Sequence, residues 1–138
     1  MSLSDYQTAA VTGASSGIGA AVAHALSRRG LTVHAIARRE DRLAQQTGCE
    51  IHMLDIRETE ALVALLGSLQ VDILVNNAGV GRGFGSLADA DPIDIDCTLD
   101  TNVRAAVHAV RAVLPSMIER GAGHIVNVGS MAGLYPLS

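Results

Sequence analysis

Residues 8–13, TAAVTG, form a short apolar run that ends in a glycine-rich turn, and that turn opens directly into GIGAAVAHALSRRG, where Ile18, Val22, Ala25 and Leu26 fall on one helical face. A strand followed at once by a helix constrains the fold more than any other feature, because the pattern then recurs. LTVHAIA reads as a second strand leading into the polar segment RREDRLAQQTG. EIHML is a third, reaching Asp55 before RETEALVALLGSL, whose Leu62, Leu65, Leu66 and Leu69 make a helical stripe. VDILVN is a fourth, followed by a loop carrying Gly79, Gly81, Gly83 and Gly85. Asp91 then caps a helix with Pro92 at its first position, and Leu99, Val103, Ala106, Val107, Val110, Val113, Leu114 and Met117 continue at helical spacing, with Pro115 expected to bend or shorten it. GHIVNVGS is the fifth strand. Strands alternating with helices of this length imply right-handed crossovers and a parallel sheet. No linker, repeat or low-complexity block divides the chain, so residues 1–138 read as one α/β domain.

Composition agrees with that sheet and narrows the function. Hydrophobic residues make up 49% and charged residues 17%, which suits parallel strands covered by helices on both faces. The formal net charge is -4 and the arginines are scattered, which argues against nucleic-acid binding. Cys49 and Cys97 are isolated from one another and from any metal-ligand spacing, and read as buried free thiols. The histidines His24, His34, His52, His108 and His124 show no metal-ligand pairing, so no metal is expected. The acidic run ADADPIDIDCTLD lacks the glycine and terminal glutamate of a calcium loop, and reads as negative charge at a helix N-terminus. MSLSDYQ has no basic patch followed by an apolar segment, and no apolar run reaches membrane-spanning length; a cytoplasmic protein is expected.

Chemistry concentrates at the first turn. Gly13, Gly17 and Gly19 form a G-x-x-x-G-x-G pattern that lets a pyrophosphate approach backbone N–H groups at a helix N-terminus, with Ser15 and Ser16 adding hydroxyl donors. A plain strand-to-helix connection is the alternative; a Walker loop is excluded because no Gly-Lys-Ser/Thr follows. Dinucleotide folds often end their second strand with an acidic residue that binds the adenosine ribose. Here that position is Ala37, followed by Arg38 and Arg39. No carboxylate repels a 2′-phosphate there and guanidinium donors are present, which favours NADP over NAD. The competing reading makes both arginines solvated charges neutralised by Glu40 and Asp41.

With TGASSGIG at the first turn, NNAG at 76–79 and IVNVGS at the fifth strand, the chain resembles the short-chain dehydrogenase/reductase family over essentially its whole length. The resemblance implies a Rossmann-type doubly wound sheet of strand order 3-2-1-4-5, ending before the family's last strands. It implies a cofactor turn of Gly13, Ser15, Ser16, Gly17, Ile18 and Gly19. Asp55 and Ile56 would border the adenine, and Asn77, Ala78 and Gly79 would line the adenosine side. Asn102 matches an asparagine that supports a water-linked proton relay, and Ser130 the serine that hydrogen-bonds the substrate oxygen. Against these stand plainer roles: Asp55 capping the next helix, Asn102 bonding its own backbone, Ser130 simply ending a strand.

The family's catalytic tyrosine and lysine, a Y-x-x-x-K helix turn, do not occur here. Tyr135 lies too near Ser130 and precedes Pro136, and all ten basic residues are arginine. They are expected beyond Ser138, and residues 1–138 would be inactive alone, with an exposed sheet edge at the fifth strand. The implied activity is interconversion of a small-molecule carbonyl and alcohol with NADP(H), in a homodimer or homotetramer, with no nucleic-acid or membrane partner. Two rivals remain open. One is a non-catalytic nucleotide-binding module. The other is an adenosyl-methionine methyltransferase, which usually wants an acidic residue where Ala37 stands. Arg82 and Phe84, in the loop after the fourth strand, either face the cleft or stand exposed.

Overall fold

The computed structural model describes residues 2–39, 43, 47–82 and 85–131. Its sheet comprises β1 (Thr8–Thr12), β2 (Thr32–Ala37), β3 (Glu50–Met53), β4 (Ile73–Asn76) and β5 (His124–Asn127). The order is β3-β2-β1-β4-β5, with every pairing parallel, as the alternating pattern predicts. Helices α1 (Gly17–Ser27), α2 (Thr59–Ser68), α3 (Pro92–Leu99) and α4 (Ala105–Arg120) connect the strands.

The central strands are apolar on both faces because both faces are covered. On one side Ala9, Val11, Val33, Ala35 and Val75 pack with Ala23 of α1. On the other, Ala10, Ile36 and Leu74 pack with Leu62 and Leu66 of α2 and with Ala105, Ala109, Val113 and Met117 of α4. The leucine stripe of α2 therefore faces the sheet, with Leu65 and Leu69 at its margin. In α1 the expected face is only partly right. Val22 and Leu26 pack on the core, but Ile18 is 62% exposed at the edge where the cleft opens.

The long helical pattern is two helices in series. Asp91 caps α3, its Oδ1 accepting from Ile93 N at 2.9 Å, with Pro92 following as expected. Residues Asp100–Arg104 then form a π-helical segment before α4 begins. The buried stripe is Cys97, Thr101, Ala105, Ala109, Val113 and Met117, so Leu99, Val103, Val107 and Leu114 are left exposed on another face. The helix continues through Pro115 to Arg120, where Gly121, at φ +64°, turns the chain into β5. At the foot of the sheet Asp72 accepts from the N–H groups of Gln7 and Thr8 at 2.9 and 3.0 Å and pairs with Arg120 at 3.3 Å. Among the described residues no helix is long and apolar enough to cross a membrane. Glu40, Asp41, Phe84, Tyr135 and Pro136 lie outside the described residues.

Candidate functional site

The carboxyl ends of β1 and β4 are joined by one buried side chain. Thr12, 3% exposed, closes β1, and its Oγ1 accepts from the N–H groups of Asn77 and Ala78, each at 3.1 Å. The same hydroxyl donates to the Val75 carbonyl at 3.4 Å. Asn77 returns the contact, its amide Nδ2 donating to the carbonyls of Thr12 and Gly13 at 3.0 and 3.3 Å. This interlock sets the glycine pattern. A Cβ on Gly13 would lie 2.8 Å from Ala78 Cα, and one on Gly19 would lie 2.5 Å from the Gly13 carbonyl oxygen and collide with the Asn77 amide. The missing Cβ of those two glycines therefore admits the protein's own backbone and the Asn77 amide, a steric requirement separate from any room they leave for a pyrophosphate. Gly17 shares a positive φ with Gly13, +57° against +68°, but differs in space, since nothing lies within 4 Å of where its Cβ would stand.

The turn's serines meet the arginines from β2. Arg39 Nη2 donates to Ser16 Oγ at 2.9 Å and to Ser15 Oγ at 3.2 Å. Ser16 is the N-cap of α1 by position, yet its side chain makes no capping bond, so the helix N-terminus keeps unpaired N–H groups facing the turn. Arg38 stands on the opposite wall, Nη1 at 3.7 Å from Asp55 Oδ2 and its side chain 56% exposed. Asp55 is gripped from below. Arg57 donates from Nη2 to Oδ2 at 2.6 Å and from Nε to both carboxylate oxygens at 3.1 Å. The Arg57 guanidinium thereby holds the Asp55 carboxyl below the usual carboxylate range, against the opposing effect of burial. Asp55 Oδ1 also accepts from Arg57 N at 3.0 Å, a turn that leads toward α2, so the carboxylate both lines the cleft and shapes the chain leaving β3.

Asn102 sits in the π-helical segment and bonds a neighbouring loop rather than its own helix. Its Oδ1 accepts from Val80 N and its Nδ2 donates to Val80 O, each at 2.8 Å, clamping the loop after β4. A wide turn of helix is a recurrent way to present a side chain at a working site. Ser130 lies exposed beyond the end of β5, at the same edge of the sheet.

The glycine turn and the segments that follow β2, β3 and β4 wall a cleft of about 220 Å³ at the carboxyl ends of the strands, where the strand order reverses. Gly13, Ser15, Ser16, Arg38, Arg39, Asp55, Ile56, Asn77, Ala78 and Gly79 all line it. Over residues 7–138 the sequence matches the family model described as short chain dehydrogenase. The chain belongs to the short chain dehydrogenase family. It is 40% identical over 136 residues to the NADP-dependent 3-hydroxy acid dehydrogenase of Shigella flexneri, covering 91% of this chain and 55% of the relative. A probable NADP-dependent dehydrogenase of Haemophilus influenzae is 41% identical over 139 residues, covering 94% and 55%. The chain thus spans about half the length of these curated relatives. Among solved structures, a metagenomic short-chain oxidoreductase in complex with NADP superposes with a TM-score of 0.90 at 36% identity, covering 96% of this chain and 66% of that one. Serine dehydrogenase from Escherichia coli gives 0.87 at 37%, with the same coverages.

Within this dehydrogenase fold, Gly17, Ile18, Gly19, Asn102 and Ser130 are not among the residues lining that cleft, although Gly19 and Asn102 support its walls. Arg82 is not in it either. It pairs with Asp94 at 3.3 Å and borders a separate groove with Leu87 and Leu99. Residues the sequence reading passed over are Thr12, whose signal was its place directly before the first glycine, and Leu54, Val80 and Thr101, which add to the lining. Both cysteines are free; Cys97 is buried as expected, whereas Cys49 is only half-buried, and burial still pushes its thiol up. His34 and His52, unpaired by sequence spacing, are brought together by the β2–β3 register.

Proposed function

We propose that the full chain is an NADP-dependent oxidoreductase that interconverts a carbonyl and an alcohol on a small molecule. The observation that carries this reading is the cationic wall at the end of β2. Ala37 replaces an acidic residue, Arg39 already holds Ser15 and Ser16 in hydrogen bonds, and Arg38 stands across from it. An adenosine 2′-phosphate placed there meets two guanidinium groups and two hydroxyls in charge-assisted hydrogen bonds, whereas the 2′-hydroxyl of NAD offers them only a neutral partner.

In this reading the open backbone at Gly17 and the uncapped start of α1 receive the pyrophosphate. Asp55 and Ile56 flank the adenine, and Asn77, Ala78 and Gly79 line the adenosine side. When bound, the dinucleotide supplies or accepts the hydride exchanged with the substrate carbon. Ser130 donates a hydrogen bond to the substrate oxygen and stabilises charge developing there. Asn102 fixes the loop after β4 and supports the proton relay. The tyrosine that exchanges the proton, and the lysine beside it, are assigned to sequence beyond Ser138. The exposed apolar face of Leu99, Val103, Val107 and Leu114 is assigned to contact with a second copy in a dimer or tetramer, and the protein to the cytoplasm.

The test follows NADPH absorbance in the full chain with a panel of carbonyl compounds, beginning with 3-oxo acids because of the relatives' names. Oxidation of NADPH that depends on both protein and carbonyl is the expected result. Tight NADPH binding with no turnover on any carbonyl would instead favour the non-catalytic module, and absence of NADPH binding would overturn the reading entirely.

A further inference from the structure

A second cluster of chemically capable side chains lies away from the cleft, on the edge of the sheet. Glu50 and His52 are two apart on β3, so both project from the same face of that strand. The parallel register sets His34 of β2 beside Glu50 and Ile36 beside His52, and Ile36 packs in the core under α2 and α4. Cys49 packs against the opposite core, so its thiol takes no part. His34 is almost fully buried, its side chain 7% exposed, whereas Glu50 is 62% exposed at the sheet edge. His34 lies three residues before Ala37, about 10 Å down the strand from the cleft.

The local arrangement is unusual in what it aims at one point. His34 Nδ1 lies 2.9 Å from His52 Nε2 and 3.3 Å from Glu50 Oε2. One ring nitrogen thus faces both an imidazole nitrogen and a carboxylate, and it has at most one proton to offer them. With that proton on His34 Nδ1, the lone pairs of His52 Nε2 and of Glu50 converge on it. Burial holds the His34 ring below its ordinary range despite the opposing pull of Glu50, with His52 lowering it further. The three ligand atoms lie within 4.8 Å of one another. Around a tetrahedral zinc ion with bonds of about 2.0–2.2 Å, ligand atoms stand roughly 3.3 Å apart. Two of the separations, 2.9 and 3.3 Å, already stand near that spacing, and the third, between His52 and Glu50, is no more than 4.8 Å and closes by turning the exposed Glu50 side chain.

We propose that His34, Glu50 and His52 form a divalent transition-metal site, fitted to zinc, that ties the edge strand β3 to β2. His34 binds through Nδ1 with its proton carried on Nε2, His52 binds through Nε2, Glu50 binds through its carboxylate, and water takes the fourth position from the open edge. The donor set of two imidazoles and one carboxylate suits zinc and disfavours magnesium or calcium, which take oxygen ligands. The proposal is independent of the dehydrogenase reading, because no residue of the cluster lines the cleft.

The test uses the full chain stripped with a chelator and titrated with zinc chloride against a competing indicator, with cobalt(II) as a visible-light reporter of four-coordinate geometry. One equivalent should bind, cobalt should develop intense ligand-field bands, and the thermal midpoint should rise with zinc. His52→Ala should weaken zinc binding by more than roughly 100-fold, since even outer-sphere partners of metal ligands are worth about 10- to 100-fold. Glu50→Gln, at an exposed side chain, should also weaken it and abolish the cobalt bands. Circular dichroism of the metal-free variants checks that each folds, and Glu50→Gln decides the matter if His52→Ala does not. Failure of the wild-type chain to bind one equivalent, or undiminished binding in the folded variants, overturns the proposal.

Discussion

Thr12→Val removes a hydroxyl while keeping the volume of the side chain, so its cost is polar rather than a cavity. Thr12 is itself 3% exposed, and its Oγ1 serves two backbone donors, Asn77 N and Ala78 N, at 3.1 Å each. Leaving a buried N–H unpaired costs about 1–3 kcal/mol. Both donors here are part-buried, which places the pair at about 2–4 kcal/mol together. The loss falls where β1 meets the loop after β4, so the floor under Gly13 should loosen and dinucleotide affinity should drop along with stability. Thr12→Ser keeps the acceptor and loses one methyl, at about 1 kcal/mol. Urea melts of the full chain give the stabilities, and fluorescence titration with NADPH gives the affinities. A valine variant within about 0.5 kcal/mol of wild type, or a serine variant as damaged as the valine one, would refute the assignment of Thr12 as the hydrogen-bonding hub.

Three further outcomes follow from particular contacts. Gly19→Ala should destabilise the chain strongly, because its Cβ meets the Gly13 carbonyl and the Asn77 amide, whereas Gly17→Ala meets open space and should cost only the strain of its φ of +57°, about 1–2 kcal/mol; comparable melts for the two would contradict the steric argument. The Asp55 carboxyl is held below its usual value near 3.8 by Arg57, so its stabilising contribution is complete above that value and disappears as pH falls through the depressed one. The stability gap between wild type and Asp55→Asn should therefore be flat at neutral pH and close in strong acid, and a gap independent of pH down to full protonation would argue against the ion pair. Val107→Asp, at a side chain 60% exposed on α4, should shift the full chain to smaller species in analytical ultracentrifugation while leaving its melt in dilute solution little changed; an unaltered assembly would remove that face from the subunit contact.

Much of the architecture was legible because it rests on features local in sequence. Each β-rich run occupies the strand it predicts, and Asp91 with Pro92 marks the start of α3 as those residues should. Arg38, Arg39 and the Asn77–Gly79 stretch reach the cleft because each directly follows a strand end. What escaped depends on register and on small insertions. Hydrophobic spacing cannot distinguish a continuous helix from one widened over Asp100–Arg104, yet that segment presents Asn102 to Val80 and changes which side chains of α4 are buried. The roles of Gly13 and Gly19 depend on how closely β4's loop crosses the turn, which no spacing rule contains. His34 and His52 lie eighteen residues apart and meet only through the pairing of β2 with β3.

The central claim is that the arginines after β2 select a dinucleotide carrying a 2′-phosphate. Parallel titration of the full chain with NADPH and NADH at one salt concentration, repeated for Arg38→Asp and Arg39→Ala, tests it most directly. A single charge-assisted hydrogen bond at about 1.5 kcal/mol corresponds to roughly tenfold, so wild type should bind NADPH at least about tenfold more tightly. Arg39→Ala should narrow that gap and Arg38→Asp should close or invert it, mainly through weaker NADPH binding. Equal affinities in wild type, tighter NADH binding, or a gap that neither substitution changes would contradict the account.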